Sequence, residues 1–160
     1  MIFSKSFGYA VRGVLYIART ENGHRSVQVE EIASGLAVPR HFMAKVLKKL
    51  AKEGIINSAK GPLGGFRIND KTLNTSLLTF VGLSNDRDVV DTCVLQFKKC
   101  NPKNPCPLHS HMDKIRSDLS KVLHSATIGD LMKTDNRNFI NAFSTLHQDS
   151  SPDLKSNQID

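Results

Sequence analysis

The sequence predicts a mainly α-helical protein with one small β-hairpin: a winged helix-turn-helix domain followed by a long dimerisation helix. Three patterns indicate this fold. Residues 27–53 read as a short helix, a turn of a few residues and a longer basic helix. Residues 55–68 read as two short strands around a glycine-rich tip. Residues 110–126 carry apolar side chains at alternating three- and four-residue spacing.

The first three predicted helices follow from apolar spacing and breaker residues. Apolar side chains recur every three or four residues over residues 4–20, which predicts a helix ended by Asn22 and Gly23. Residues 27–34 predict a short second helix that turns Ile32 and Ala33 inward and is broken by Gly35. Pro39 suits the first turn of a third helix that runs to about residue 53. The predicted buried stripe of that helix is Phe42, Val46, Leu47 and Leu50.

The positive charge lies in the N-terminal half of the chain. Residues 1–72 hold 12 Lys and Arg against 5 Asp and Glu, whereas the remainder is balanced, so the net charge of +7 belongs to the helix-turn-helix region. A basic surface of this kind favours a polyanionic partner. The second helix of a helix-turn-helix enters the major groove, where its N-terminal residues reach bases. The predicted contacts are Arg40, His41, Lys45 and Lys48; a helical hairpin whose lysines only face solvent remains the alternative.

The glycine-rich tip predicts a wing. Residues 55–59 and 66–68 are the candidate strands, and the tip between them reads KGPLGG. A wing meets the phosphate backbone or the minor groove, so Lys60, Gly61 and Arg67 are the predicted DNA contacts here. A nucleotide-binding glycine loop is disfavoured because a strand rather than a helix follows the tip and no GK[ST] is present.

All three cysteines lie in residues 91–111, on a loop rich in Pro and Asn. The spacing is C-x6-C-x5-C-x2-H, from Cys93 through Cys100 and Cys106 to His109. Soft ligands on such a loop suit an iron–sulfur cluster or a three-cysteine, one-histidine zinc site. Thiols that switch by oxidation without metal are a further alternative. Three cysteines cannot all pair within one chain, which disfavours a purely structural disulfide framework.

The long helix predicts a second copy as partner. Its seam is Met112, Ile115, Leu119, Val122 and Ala126, the spacing of a coiled coil. A helix projecting from a compact domain has little else to pack against, and a dimer would place two recognition helices one DNA turn apart on a palindromic site. The chain therefore divides into a DNA-binding domain (1–84), a cysteine-rich sensor loop (85–109), a dimerisation helix with a closing segment (110–146) and a disordered tail (147–160).

Other classes of protein fit less well. No apolar run is long enough to span a membrane, and Lys5, Arg12 and Arg19 interrupt the apolar start, so a cytoplasmic location is expected. No catalytic dyad is visible, so no enzymatic activity is expected. An iron–sulfur redox carrier and an adaptor that docks a metabolic enzyme are the alternatives from other classes.

Several segments resemble one family of small winged-helix regulators, whose members include IscR, NsrR and CymR. The wing KGPLGGF at 60–66 is similar to the family's RGPGGGY. The start around Tyr9 and the run EIASGLAVPRHFMAKVLKKLAKEGII at 31–56 match as well, and the resemblance covers about residues 1–130. Membership implies a homodimeric DNA-binding transcription factor, usually a repressor, tuned by a cluster or by thiols. Lys60, Leu63 and Ala44 depart from the family's Arg, Gly and Glu, so the operator sequence is not predicted.

The resemblance also implies a ligand set. The IscR pattern C-x5-C-x5-C-x2-H carries over to Cys93, Cys100, Cys106 and His109, with one extra residue in the first spacer. A loop absorbs one residue at small entropic cost. NsrR-like members take the fourth ligand from a carboxylate in the first helix, where this chain has Gly8. That difference favours His109 and a 2Fe–2S cluster; 4Fe–4S, zinc and a metal-free site stay open.

Overall fold

The computed structural model describes residues 3–20, 25–86, 93, 95 and 101–133. Six helices and one antiparallel hairpin are present in these ranges. They are α1 (Lys5–Arg19), α2 (Val29–Gly35), α3 (Arg40–Lys52), β1 (Ile56–Ala59), β2 (Gly65–Ile68), α4 (Leu77–Leu83), α5 (His109–Ser125) and α6 (Ile128–Lys133). The mainly helical winged helix-turn-helix prediction is confirmed. The predicted helix end at Asn22 and Gly23 and the predicted tail lie outside the described residues.

α1 is the centre of the core. Ser4 caps it, because the Ser4 side chain accepts a hydrogen bond from the Phe7 N–H at 3.3 Å. Val14, Leu15 and Ile17 are almost completely buried among side chains from α2, α3, the hairpin, α4 and α6. A single helix therefore touches most elements of the domain, and the core is built around it.

The start of α2 corrects the prediction from the sequence. Residues 27 and 28 are not helical: buried Val27 exchanges two 2.8 Å backbone hydrogen bonds with Phe66 of β2. Valine favours extended backbone, and here it adds a bridge to the hairpin. The helix begins at Val29, and Ile32 and Ala33 are buried as predicted. α2 ends at Gly35, where the sequence predicted the break. The left-handed residue is Ala37 (φ 49°), whereas Gly35 is needed because a Cβ there would lie 2.5 Å from the Tyr16 ring.

The buried stripe of α3 is turned by one residue from the predicted one. Met43, Leu47 and Leu50 are buried, and Val46 lies at the edge. Phe42, predicted to be buried, is 51% exposed. One residue rotates a helix by about 100°, so a stripe that begins at Met43 turns Phe42 away from α1. Met43 packs where α1 has Gly13, whose missing side chain lets α1 and α3 approach closely.

The hairpin is held in register by a glycine that no other residue replaces easily. β1 and β2 pair from Ile56↔Ile68 to Ala59↔Gly65. Gly65 has φ +131°, and a Cβ there would lie 2.6 Å from the Val27 carbonyl oxygen. The sequence therefore needs Gly65 both for its backbone conformation and for the contact between the hairpin and the segment before α2.

Gly65→Ala is expected to lower the free energy of unfolding by about 1–3 kcal/mol, since it combines a disfavoured φ with a backbone clash. Gly8→Ala is the matched control, because a Cβ on Gly8 meets nothing within 4 Å in a helical segment. That control should gain about 0.5–1 kcal/mol. Urea unfolding at one fixed protein concentration measures both changes. Equal stability of the Gly65 variant and the parent would contradict this account of the wing.

Two further elements close the domain. Asn69 makes the turn after β2, accepting a hydrogen bond from the Lys71 N–H at 3.0 Å. α4 begins after Ser76 and buries Phe80 and Val81. At the C-terminal side, Ile128 of α6 is completely buried in the core around α1.

α6 has a reciprocal cap. The Asp130 N–H donates to Thr127 Oγ1 at 3.1 Å, while the Asp130 carboxylate accepts from Thr127 Oγ1 and from the Thr127 N–H. The Thr127 side-chain hydrogen bond, followed by that of Lys133, lowers the pKa of Asp130 to about 2. The cap therefore stays charged at neutral pH, and the closing segment after α5 returns to the domain as a defined helix.

The predicted long helix is present as α5, but only part of its predicted apolar seam is exposed. Leu123, which the spacing did not single out, is buried, and Met112 and Leu119 are half-buried on the same side. Ile115 and Val122 are 57% and 58% exposed. Helical geometry places these two side chains next to the packed side, about a quarter turn away. One apolar side of α5 therefore serves the protein's own core and a neighbouring stripe faces outward.

Among the described helices, none combines the length and the apolar character that a membrane crossing requires.

Candidate nucleic-acid interface and thiol site

α3 presents the predicted basic side chains outward. Arg40, His41, Lys45 and Lys48 are all exposed. The His41 and Phe42 rings contact each other, with centroids 4.2 Å apart. Lys49 is different: its Nζ donates to the Leu83 carbonyl oxygen, which ties α3 to the end of α4. The exposed set is thus confined to one side of the helix, where a groove-binding helix needs its donors.

Arg40 is engaged in an ion pair. Its Nη2 lies 2.5 Å from Glu30 Oε1, with both side chains more than half exposed. Hydrogen bonds from its own backbone N–H and from Arg40 lower the pKa of Glu30. The sequence pattern gave no sign of this pair, because Glu30 belongs to the preceding helix. An exposed pair of this kind is weak and is screened by salt, so it leaves Arg40 free to exchange partners.

The wing exposes its predicted contacts too. Lys60 and Arg67 are exposed beside the tip, and Gly61 has φ +101° with open space around it. Arg67 faces outward because the adjacent Phe66 is buried and successive side chains of a strand alternate. Leu63 is 94% exposed at the tip. The wing therefore projects two cations and a bare apolar side chain from the body of the domain.

Gln28 joins the wing to the helix-turn-helix, a role that the sequence did not reveal. Its side-chain amide donates to the Gly64 carbonyl oxygen at 2.8 Å and to that of Pro62 at 3.3 Å. With the backbone bonds between Val27 and Phe66, this makes α2 and the wing tip one connected unit. The pairing joins residues 36 positions apart, and no local sequence pattern encodes it. The start of α2 and the wing tip are therefore held in a fixed position relative to each other.

The thiol site brings together two of the three cysteines. Cys93 Sγ and Cys106 Sγ lie 4.0 Å apart, and both side chains are half-buried. A tight turn precedes Cys106: Asn101 Oδ1 accepts from the Lys103 and Asn104 N–H groups at 2.9 and 3.0 Å. Cys100 lies outside the described residues.

His109 begins α5 directly after this turn. Its N–H donates to the Cys106 carbonyl oxygen at 2.9 Å, and its side chain is half-buried. Across the described ranges, no three His, Cys, Asp or Glu side chains converge as a metal site. The structure thus assembles the Cys93–Cys106 pair and places His109 beside it in the chain, without completing a four-ligand set.

The donor set suits a soft metal as far as it is described. Two thiolates bound to one iron or zinc at Fe–S or Zn–S bonds of about 2.3 Å stand just under 4 Å apart in tetrahedral geometry. The 4.0 Å separation of the Cys93 and Cys106 sulfurs agrees with that spacing. The two described thiols therefore fit an iron–sulfur cluster and zinc equally well.

The entrance to the cysteine loop is anchored to the start of α1. The Asp86 carboxylate accepts from the Ser4 N–H at 3.1 and 3.2 Å, from Ser4 Oγ at 2.8 Å and from Ser84 Oγ at 2.5 Å. Asn85, with φ 62°, makes the turn that points Asp86 there. The residue at which the cysteine loop begins is therefore hydrogen-bonded to the N-terminal cap of the central helix. No signal in the sequence marked Asp86 for this role.

Comparison with known proteins gives one consistent family. Residues 3–134 match the model of Rrf2, described as an iron-dependent transcriptional regulator. A protein of Aquifex aeolicus (strain VF5), provisionally named an HTH-type transcriptional regulator, is 34% identical over 86% of this chain and 95% of its own length. The HTH-type transcriptional regulator IscR of Vibrio campbellii (strain ATCC BAA-1116) is 26% identical over 78% of this chain and 73% of its own.

The solved structures agree on the fold. CymR, the global cysteine regulator of B. subtilis, superposes with a TM-score of 0.68 at 17% identity, over 84% of this chain and 98% of that one. The family and these relatives are transcriptional regulators rather than enzymes, which confirms that expectation. The matched segment contains every described helix and strand, and with it the exposed α3, the wing and the thiol pair. The chain is a member of the Rrf2 family of transcriptional regulators.

Proposed function

We propose that this regulator is a repressor that binds a palindromic operator as a homodimer. We further propose that an iron–sulfur cluster held by Cys93, Cys100, Cys106 and His109 controls that binding. The approach of Cys93 and Cys106, 13 positions apart in sequence, to 4.0 Å is the observation that carries the cluster proposal. The family's description as iron-dependent and the relative named IscR support iron over zinc. The proposed location is the cytoplasm, where thiols stay reduced.

DNA recognition is assigned to α3 and the wing. Arg40, His41, Lys45 and Lys48 would contact bases and nearby phosphates in the major groove, and Lys60, Gly61 and Arg67 the backbone or the minor groove. Their exposure on one connected unit supports this assignment. The stripe of Ile115 and Val122, with Met112 and Leu119 beside it, would form the dimer contact.

The cluster would act through the residues at both ends of its loop. When bound, it supplies a group that is lost or altered by oxidants or nitric oxide. Asp86 ties the start of the loop to α1, and His109 is the first residue of α5. A change in the loop therefore reaches both the DNA-binding domain and the proposed dimer helix, which is how a local ligand biases a two-state protein. A 2Fe–2S cluster is favoured over 4Fe–4S on the ligand pattern implied by the family.

Anaerobic reconstitution tests the proposal. The full chain is incubated with ferrous iron and sulfide, and the visible spectrum and the iron and zinc contents are measured. We expect a coloured protein whose visible absorption is lost in Cys93→Ala and Cys106→Ala and is changed in His109→Ala. His111→Ala is the matched control, because His111 is exposed two residues further along α5. Colourless protein with stoichiometric zinc would refute the cluster, and an unaltered spectrum in His109→Ala would refute its role as ligand.

A second candidate is a thiol-redox regulator of the same fold that holds no metal. The same pair of sulfurs favours it, because two half-buried thiols at 4.0 Å are accessible to oxidants. For this candidate, we expect the protein to stay colourless after reconstitution and to contain no stoichiometric zinc.

A further inference from the structure

We propose that Cys93 and Cys106 form an intramolecular disulfide when the thiol site holds no metal and meets a peroxide, and that Cys100 takes no part in it. The disulfide itself follows from the described geometry alone. Its consequence for metal loading rests on the proposed function.

The sulfurs start close to bonding distance. A disulfide has an S–S bond of about 2.05 Å, and the two Sγ atoms stand 4.0 Å apart in hydrogen-bond contact. The remaining gap of about 2 Å is within the range of side-chain rotation about Cα–Cβ. Both thiols are half-buried, so a small oxidant reaches them while larger reagents are partly excluded.

The fold favours the Cys93–Cys106 pair, whereas the length of the loop alone would favour Cys100 with Cys106. In a disordered loop the shorter closure, Cys100 with Cys106, forms roughly three times more readily than the Cys93–Cys106 closure, because loop-closure entropy rises with length. In the folded chain, the turn of residues 101–104 precedes Cys106, whose sulfur lies 4.0 Å from that of Cys93. The pairing observed by experiment therefore reports whether this fold, rather than proximity in sequence, directs the oxidation.

The chemistry needs one peroxide for each disulfide. The thiolate of one cysteine attacks a peroxide oxygen; the O–O bond breaks, water leaves after taking up a proton, and that cysteine becomes a sulfenic acid. The second thiolate attacks the sulfenic sulfur, which forms the S–S bond and releases the second water. The two thiols together lose two electrons and two protons, and the peroxide accepts both.

The disulfide and a metal exclude each other. Metal ligation requires free thiolates, and the disulfide removes the two sulfurs that the described structure brings together. An oxidised, metal-free protein would therefore have to be reduced before it accepts a cluster or zinc. We infer that the pair makes metal loading dependent on the thiol redox state of the cell.

Trypsin makes the pairing directly readable. Cleavage after Arg87, Lys98, Lys99, Lys103 and Lys114 places each cysteine on a different peptide: 88–98, 100–103 and 104–114. Full-length protein is freed of metal with a chelator under reducing, anaerobic conditions. It is then treated with one equivalent of hydrogen peroxide, blocked with an alkylating agent and digested without reductant. Mass spectrometry identifies the linked peptides, and the intact mass should fall by about 2 Da, the two lost hydrogens.

The expected result is a linked 88–98 and 104–114 pair, with Cys100 alkylated. Cys100→Ser should retain the link, and Cys93→Ser and Cys106→Ser should lose it. The same oxidation in urea should shift the link towards Cys100 and Cys106. A link through Cys100 in the folded protein, linkage between chains, or separate sulfinic acids would each overturn the proposal.

The metal arm is measured separately on fully reduced protein. If the reduced protein takes up a cluster and peroxide gives no Cys93–Cys106 link, the proposed function stands and this inference fails. If the link forms and the reduced protein takes up no metal, the inference stands and the cluster proposal fails. If both hold, peroxide-treated protein should bind metal only after reductant is added.

Discussion

Ile115→Asp is expected to break the proposed dimer into monomers at micromolar concentration. Ile115 is 57% exposed on α5, and Val122, about two helical turns further along, is 58% exposed. Large aliphatic side chains at this spacing on one stripe are unfavourable in water, and in the proposed dimer a second copy of the same helix would cover them. A carboxylate placed in that contact would be desolvated without a partner.

The size of the effect follows from burial and symmetry. Burying an aliphatic side chain contributes about 1.5–3 kcal/mol, and a two-fold contact counts each substitution twice. The loss is therefore at least about 3 kcal/mol, or more than roughly a hundredfold in the dimer Kd. Operator affinity should fall with it, because a monomer presents one recognition helix to a two-part site.

Ser117→Asp is the matched control for this experiment. It adds the same charge to an exposed position on the opposite side of α5 and should leave the oligomeric state unchanged. Analytical ultracentrifugation over a concentration series measures the dimer Kd of the parent and both variants. A dimer that withstands Ile115→Asp would show that the exposed stripe is not the subunit contact. A parent protein that is monomeric at all concentrations would refute the dimer proposal itself.

Local patterns predicted the elements of this fold, because each depends on residues near in sequence. The apolar spacing of α1 and α5 and the glycine-rich hairpin tip are signals of this kind. They failed where packing between elements decides the outcome. Phe42 and Met43 are adjacent apolar residues of α3, and only the close approach at Gly13 determines that Met43 is buried. Val27 was assigned to a helix because the local sequence carries no signal of its bridge to Phe66, which lies far along the chain.

The same distinction applies to the candidate site. Charge and spacing identified the cationic side chains of α3 and the wing and the candidate sulfur ligands. They gave no information on Gln28, Asp86 or the Glu30–Arg40 pair, whose partners lie in other elements. The sequence predicted the candidate DNA-contacting side chains and the candidate sulfur ligands, whereas the groups that hold them in position became visible only in three dimensions.

Lys45→Ala combined with Lys60→Ala is expected to weaken operator binding strongly and to change its salt dependence. Both side chains are exposed, one on α3 and one beside the wing tip, on a unit joined by Gln28. Each cation that neutralises a phosphate contributes about 0.9 to the slope of log Kobs against log salt concentration. Loss of both contacts should reduce the slope by about 1.8 and the affinity by roughly a hundredfold near 0.1 M salt.

The single variants distinguish the two contacts. Lys60→Ala should weaken binding to all sequences alike, because a wing contact to the backbone carries no direct base information. Lys45→Ala should also reduce discrimination against altered half-sites, since in the proposed docking Lys45 would face the base edges.

Lys114→Ala is the control for loss of a positive charge at an exposed position on α5, outside the proposed DNA surface. Fluorescence anisotropy with an operator selected from a random-sequence library, repeated at several salt concentrations, gives both affinity and slope. If Lys114→Ala lowers the slope as much as Lys45→Ala and Lys60→Ala do, the effect comes from net charge and the docking through α3 and the wing is wrong. If only the α3 and wing variants lower it, the positive half of the chain meets DNA through that one surface, and the balanced half is left free for the thiol site and the subunit contact.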